Sequence, residues 1–357
     1  RTRTAPASNG KAARPVKYRF SFGPWNIHEG ADPFGPTVRN PIAFSRKLAI
    51  YRQLGFVGVQ FHDDDAVPDI DSKSDQQVAR EARRLRKLLD DNGLVAELTA
   101  PRLWEDPRGI DGAFTANDPK VRRWAIDRTK RCIDVGQELG TNLLVLWLAR
   151  DGTYIRESKN ARKSYEYILE AINEMLAHNP NVRIAIEPKP NEPADQAYVP
   201  TIGHAIAMAY RSNDPDRVGG LIETAHAQLA GLDPSDEMAF ALMHNKLWSV
   251  HLNDQNGLKF DEDKTFGAAN LRAAFNQVRV LEEAGYGRNG EMVGLDVKAM
   301  RTTKQADNTK HLANSKAIFE ILVEKVRTFD RKTEAELIKA RDYEGLERLV
   351  LEHLMGV

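Results

Sequence analysis

The residues of this chain best suited to chemistry are Glu187, Glu223, His226, His251, Asp261, Asp263 and Asp296, with His62, Asp65 and Lys189 beside them. Five carboxylates gathered at one place would repel one another by about 4 kcal/mol per close pair at an effective dielectric near 20. Such a set needs cations or protons. Oxygen ligands mixed with two imidazoles suit Mg2+, Mn2+ or Co2+ better than a thiolate-preferring metal. Glu223-x-x-His226 and Asp261-x-Asp263 each bring two ligands together, though either pair alone is a weak signal. The stretch from Ile184 to Pro193 (IAIEPKPNEP) is the most telling. An apolar run gives way within a few residues to Glu187, Lys189 and Glu192, and a buried charge must be paired, hydrated or metal-bound to offset its desolvation. This reads as a strand that delivers reactive groups to a site.

The elements that must position these groups alternate in type along the chain. Strand-like runs at Tyr18–Phe22, Val57–Phe61, Val95–Thr99, Asn142–Trp147, Arg183–Glu187, Gly219–Glu223, Leu247–Leu252 and Met292–Asp296 are each followed by a helical pattern. Asp118 before Pro119 starts one helix, and Gly55 and Asn92-Gly93 close two others. Eight strand and helix pairs without a Gly-x-Gly-x-x-Gly turn predict an α/β fold, a (β/α)8 TIM barrel over residues 18–327. Residues 1–17 read as a flexible basic arm and 328–357 as a short C-terminal helical tail. Every candidate ligand falls at or just beyond a C-terminal strand end, the face on which barrel enzymes build active sites. Trp25, Trp104 and Trp147 fall at the same end and could wall a ligand pocket; His28 and Glu29 could also enter it.

Composition narrows the function. Lys plus Arg and Asp plus Glu number 51 each in 357 residues, which argues against nucleic acid or an anionic membrane as the main partner. A single cysteine, Cys132, excludes an internal disulfide framework, and with no signal-peptide pattern the expectation is a cytoplasmic protein. The basic run Arg80 to Lys87 reads as the solvated face of an outer helix.

With the strands in place, the chain resembles the xylose isomerases, aldose–ketose isomerases that also act on glucose. Phe61-His62-Asp63-Asp64-Asp65, Gly112 to Asp118, Ile186 to Pro193, Asn256 to Asp263 and Leu295-Asp296-Val297-Lys298 carry the likeness, as do Phe20-Ser21-Phe22 and Asp32-Pro33-Phe34-Gly35. The resemblance implies two divalent cations, Mn2+, Co2+ or Mg2+. Glu187, Glu223 and Asp296 would hold one, Glu223, His226, Asp261 and Asp263 the other. His62, oriented by Asp65, would assist ring opening, and Lys189 would hydrogen-bond the carbonyl oxygen at carbon one. Trp25, Trp147 and Phe34 match pocket aromatics, Phe34 being lent by a neighbouring subunit in a homo-oligomer, tetramer or dimer. The implied reaction is D-xylose to D-xylulose, and D-glucose to D-fructose, by ring opening and a metal-assisted 1,2-hydride shift.

Three features depart from that family. His251 stands where the family carries an aspartate ligand, which makes the first site one unit more positive and tilts it from Mg2+ toward Mn2+ or Co2+. A histidine there is similar to the arrangement in rhamnose isomerases and ketose 3-epimerases, which are the alternative readings, with a non-catalytic sugar-binding homologue behind them. The wall Thr99-Ala100-Pro101-Arg102-Leu103-Trp104 is bulkier and more basic than the family's, and the chain after Arg327 is shorter. A metal-dependent DNA endonuclease on a similar barrel would need a basic excess that this chain lacks.

Overall fold

The computed structural model describes residues 15–30 and 35–357, so Phe34 and most of the expected basic arm lie outside the described residues. Eight parallel strands close into a ring: β1 (Phe20–Phe22), β2 (Gly58–His62), β3 (Val95–Ala100), β4 (Leu143–Trp147), β5 (Arg183–Glu187), β6 (Val218–Glu223), β7 (Leu247–Leu252) and β8 (Val293–Leu295). Each strand neighbours its successor, and β1 pairs with β8 to seal the barrel. This is the (β/α)8 barrel expected from the alternating pattern.

Eight helices form the outer layer: α1 (Phe44–Leu54), α2 (Asp75–Asp91), α3 (Pro119–Leu139), α4 (Ala161–His178), α5 (Ile202–Arg211), α6 (Pro234–Met243), α7 (Leu271–Ala284) and α8 (Lys310–Thr328). Their ends are written in the sequence. Ser74 and Gln77 form a capping box at the start of α2, and Asp118 accepts from the Lys120 amide with Pro119 at the first position of α3. At the other ends, Gly140 (φ 86°) and Gly285 (φ 69°) close α3 and α7 in the left-handed conformation that glycine adopts without steric cost. α8 opens without such a signal, since the Thr309 side chain caps none of its amides.

Two further helices, α9 (Arg331–Ala340) and α10 (Tyr343–Met355), form the tail. They pack on the barrel. Arg279 of α7 grips Glu334 through two contacts of 2.6 and 3.1 Å, and the His353 ring meets Phe329 at 5.1 Å. Among the described residues no helix is long and apolar enough to cross a membrane.

Two cores result. The larger fills the space between strands and helices, with Phe22, Tyr51, Phe56, Phe61 and Phe275 fully buried. The smaller is a plug inside the barrel, Leu98, Ala100, Val145, Ala185 and Leu221. Leu98, Ala100 and Val145 are also the floor of a cavity at the C-terminal mouth. One pairing is absent from the sequence reading: Gly152–Thr153 joins Gln196–Ala197 in a small antiparallel ladder. It ties the loop after β4 to the loop that follows Glu187 and Lys189.

Candidate active site

The cavity at the C-terminal mouth, about 550 Å³, is where the strands deliver their charges. β5 ends on Glu187 and β6 on Glu223, while Asp296 follows β8 and His251 sits one residue from the end of β7. Register keeps them level, since Glu223 lies opposite His251 and Gly294 stands beside it on β8. A Cβ on Gly294 would collide with the Val250 carbonyl and with Gln60 Nε2 and fall 3.0 Å from the His251 ring, so only glycine fits beside β7 here.

The segment after Glu223, which the sequence leaves without a periodic pattern, is a short helix from Thr224 to Leu229, and its first turn folds His226 back until Nε2 lies 3.2 Å from Glu223 Oε1. Asp261 and Asp263 do lie on a loop. Asp254 anchors that loop by accepting the amides of Ala269 (2.8 Å) and Asn270 (2.9 Å).

These side chains form three overlapping groups: Glu187, Glu223 and His226; Glu223, His251 and Asp296; Glu223, Asp261 and Asp263. Within each group the ligand atoms lie within 4.8 Å of one another, and Glu223 belongs to all three. His226 Nδ1, both ring nitrogens of His251 and Asp261 Oδ1 are buried with no hydrogen-bond partner. Buried polar atoms are rarely left so. Carboxylate oxygens and unpaired imidazole nitrogens at this spacing fit one or more divalent cations.

The electrostatics agree with that fit. Burial raises the Glu223 carboxyl well above the ordinary carboxylate range, and Asp261 and Asp263 add to the effect. Burial also raises Asp263 and Asp296. At Glu187 burial is outweighed by His251 and His226, which hold it at about 2. The reciprocal effect lifts His251 to about 9 against its own desolvation, chiefly through Glu187. The carboxylates therefore compete for too few positive charges. Lys189 and Lys298 are the ammonium groups on this wall, and burial fails to lower either because Asp261 and Asp263 face them.

Lys189 Nζ lies 2.8 Å from Asp261 Oδ2 and 3.1 Å from Glu192, and 5.3 Å from the centre of the Trp147 ring. On the opposite wall the His62 ring packs 4.2 Å from Trp25 and 5.1 Å from Trp104, with Nδ1 3.0 Å from Asp65. Trp25, Trp104 and Trp147 all line the cavity. The predicted ligands, His62, Lys189, Trp25, Trp104, Trp147 and His28 line this cavity and Asp65 touches His62, whereas Glu29 is not on its wall.

Further contacts support the ligands, some from residues such as Asn253 that the sequence did not single out. Asn253 donates to Glu223 (2.9 Å) and Asp263 (3.0 Å) and accepts the Ala225 amide (2.8 Å), so one amide sets three elements. Trp25 Nε1 donates to Asp296 (3.0 Å), and Lys298 holds Asp263 at 2.7 Å. His28 Nδ1 accepts from Gly30 N (2.9 Å), leaving Nε2 as a buried donor on the cavity wall, with burial and then Arg39 holding the ring down to about 4. The only prior signal was its position just after Trp25.

Comparison with known proteins places this geometry. The family described as Xylose isomerase-like TIM barrel matches residues 48–312. The xylose isomerase of Thermus thermophilus is 36% identical over 335 residues, spanning 92% of this chain and 84% of that protein. The chain belongs to the xylose isomerase-like TIM-barrel family. Two solved structures share the fold at low identity. A D-tagatose 3-epimerase-like protein aligns with a TM-score of 0.62 at 15% identity, over 86% of this chain and 99% of that one. An L-ribulose 3-epimerase aligns at 0.60 and 17%, over 91% and 99%. Family membership and the three ligand groups together make this a metal-assisted enzyme of the isomerase and epimerase class.

Proposed function

We propose that the protein is a metal-dependent isomerase or epimerase of a neutral monosaccharide, with the D-xylose assignment left as the second reading. The observation that carries this is the group Glu223, His251 and Asp296, in which an imidazole replaces the aspartate of the xylose isomerase pattern. Divalent cations held by Glu187, Glu223, His251 and Asp296, and by His226, Asp261 and Asp263, would supply Lewis-acid polarisation of sugar oxygens. A neutral substrate follows from the walls: Lys189 is paired with Asp261 and Glu192, Lys298 with Asp263, and Arg102 with Asp64 and Asp65. None of these three cations is left for a sugar phosphate or a sugar acid.

The side chains then divide the work. Lys189, kept charged by Asp261, is a hydrogen-bond donor to a carbonyl oxygen and cannot serve as the base that removes a carbon-bound proton. Trp25, Trp104 and Trp147 exclude water around the reacting carbons. His62, clamped between Trp25 and Trp104, faces the ring-opening step. For an aldose–ketose conversion this arrangement favours hydride transfer between carbons one and two, with the migrating hydrogen kept from solvent.

The D-xylose reading is favoured by 36% identity to a xylose isomerase across 92% of the chain. A 3-epimerase reading gains from the way Lys298 and Asn253 already hold Asp263 and Lys189 holds one oxygen of Asp261, so that a single cation beside His251 could suffice. The test is a panel of pentoses, hexoses, deoxyhexoses and ketoses, offered to stripped protein with each cation returned in turn and the products read by NMR. Isomerised or epimerised sugar other than xylulose supports the proposal; xylose as the preferred substrate selects the second reading. No conversion with any cation would end both. Homo-oligomer formation belongs to the same proposal, and sedimentation at working concentration decides it.

A further inference from the structure

Arg102 makes a contact that bears on how His62 works. Its backbone N–H donates to Asp63 Oδ1 at 3.1 Å, and Asp63 is fully buried and held by Arg128, so the start of the Arg102 side chain is fixed. The guanidinium then reaches back across the strand end. Nη1 lies 3.3 Å from Asp64, and Nη2 lies 3.1 and 3.0 Å from the two oxygens of Asp65. The same Nη2 is 2.6 Å from His62 Nδ1, while Asp65 Oδ2 is 3.0 Å from that nitrogen.

Two partners therefore claim one ring nitrogen and make opposite demands. Asp65 can bond Nδ1 only if Nδ1 carries a proton; Arg102, which has donors and no acceptor, can bond it only if it does not. The contacts decide between them. Nη2 has two hydrogens, one of which can satisfy Asp65 and the other the Nδ1 lone pair, and Asp65 Oδ2 also faces the His62 backbone N–H at 3.4 Å. Asp65 thus keeps its donors without a ring proton. In the opposite tautomer the Nδ1–H could reach Asp65 Oδ2 at 3.0 Å, but only by setting two donors, Nδ1–H and the guanidinium N–H, against each other across the shorter 2.6 Å contact.

We propose that Arg102 is the positioning residue that sets the tautomer of His62, with the proton on Nε2. This rests on the reading of the cavity as one that opens a cyclic sugar. Among the described residues Nε2 has no protein partner, and His62 lines the cavity, so the ring presents a donor to the substrate rather than an acceptor. Ring opening breaks the O1–H and C1–O5 bonds and forms C1=O and O5–H. His62 then donates a hydrogen bond to O5 as its charge grows; water takes the proton from O1 and returns one to O5. A neutral imidazole used as an electrophile is an established device elsewhere. Asp65 orients Arg102 and so acts on the ring at one remove, which reverses the simpler expectation that Asp65 orients His62 directly.

The experiment reads the tautomer itself and needs no sugar. Two-bond proton–nitrogen spectra of protein labelled with 15N-histidine, with the His62 signals assigned by their loss in His62→Gln, report which nitrogen is protonated. The intact protein in alkaline buffer is expected to show unprotonated Nδ1, and Asp65→Asn to keep it. Arg102→Met should move the proton to Nδ1, and should lower turnover of a cyclising aldose about tenfold relative to an acyclic aldehyde, a loss of about 1.4 kcal/mol. Protonated Nδ1 in the intact protein, or a tautomer unmoved by Arg102→Met, would overturn the proposal. If instead the tautomer behaves as expected but no sugar is turned over, the proposed activity fails and the assignment of Arg102 stands.

Discussion

Glu97 and Glu187 both point into the lumen of the same barrel, and their surroundings differ in kind. Glu97, on β3, is met by neutral donors from three other strands: the Ser21 hydroxyl, Gln60 Nε2 at 3.3 Å and the Ser249 hydroxyl at 3.2 Å. Glu187, on β5, faces His251 Nδ1 at 3.5 Å and His226 Nδ1 at 3.7 Å, distances too long for good hydrogen bonds, and both nitrogens are unpaired. A carboxylate that serves the fold closes its hydrogen bonds with neutral donors at hydrogen-bond distance. One that serves the chemistry stands among ligands that still have lone pairs to give, and the contrast separates scaffold from site more sharply than charge or burial does.

That contrast can be broken from either side. Glu223 belongs to all three ligand groups, so Glu223→Ala should lower kcat/KM by at least about 10³-fold, or about 4 kcal/mol, while leaving metal-free thermal stability near that of the parent. A smaller loss measured under saturating cation would mean that Glu223 is not shared. Lys189→Met should cost about 10²-fold in kcat through loss of a donor at developing charge. Steady-state kinetics that show only a raised KM would assign Lys189 to binding alone.

On the scaffold side, Glu97→Leu strands the Ser21, Gln60 and Ser249 donors and should destabilise by about 1–3 kcal/mol, with cation affinity unchanged. Calorimetry that found altered metal binding would erase the distinction. His251→Asp should shift cation preference toward Mg2+ by about tenfold, since it restores an anionic oxygen ligand. An unchanged metal profile would remove His251 from the ligands. The smallest effect lies on the surface, where Arg123 and then Lys130 hold Glu174 at about 2 against a usual 4.5. A depressed carboxyl stabilises above its unfolded value and loses that contribution as pH falls toward 2. For a partly exposed pair this is about 0.5 kcal/mol. Glu174→Gln should flatten unfolding free energy between pH 4.5 and 2 by that amount.

The fold was legible because periodicity and caps are local. Asp118-Pro119, Gly55 and Asn92-Gly93 announce helix ends whatever the neighbours do, and the ligands showed themselves by falling at strand ends. What stayed hidden depends on contacts between distant segments. Glu97 sits in an unremarkable run, Val95-Ala-Glu-Leu-Thr-Ala, and only the closed ring brings Ser21 and Ser249 to it. Asn253 looks like any strand-end asparagine until Glu223 and Asp263 converge on it. Arg102 read as a change in the substrate wall, whereas its guanidinium turns toward Asp64, Asp65 and His62. The helical turn that carries His226 was hidden for another reason: Thr224 to Leu229 is too short for a periodic signal.

The central claim is that the C-terminal mouth holds divalent cations, and anomalous diffraction from crystals of Mn2+-loaded protein tests it most directly. One peak among Glu187, Glu223, His251 and Asp296 is expected, with a second beside His226, Asp261 and Asp263 if two cations bind. Protein loaded in the same way that shows no peak at this mouth, or a peak elsewhere on the chain, would contradict the account.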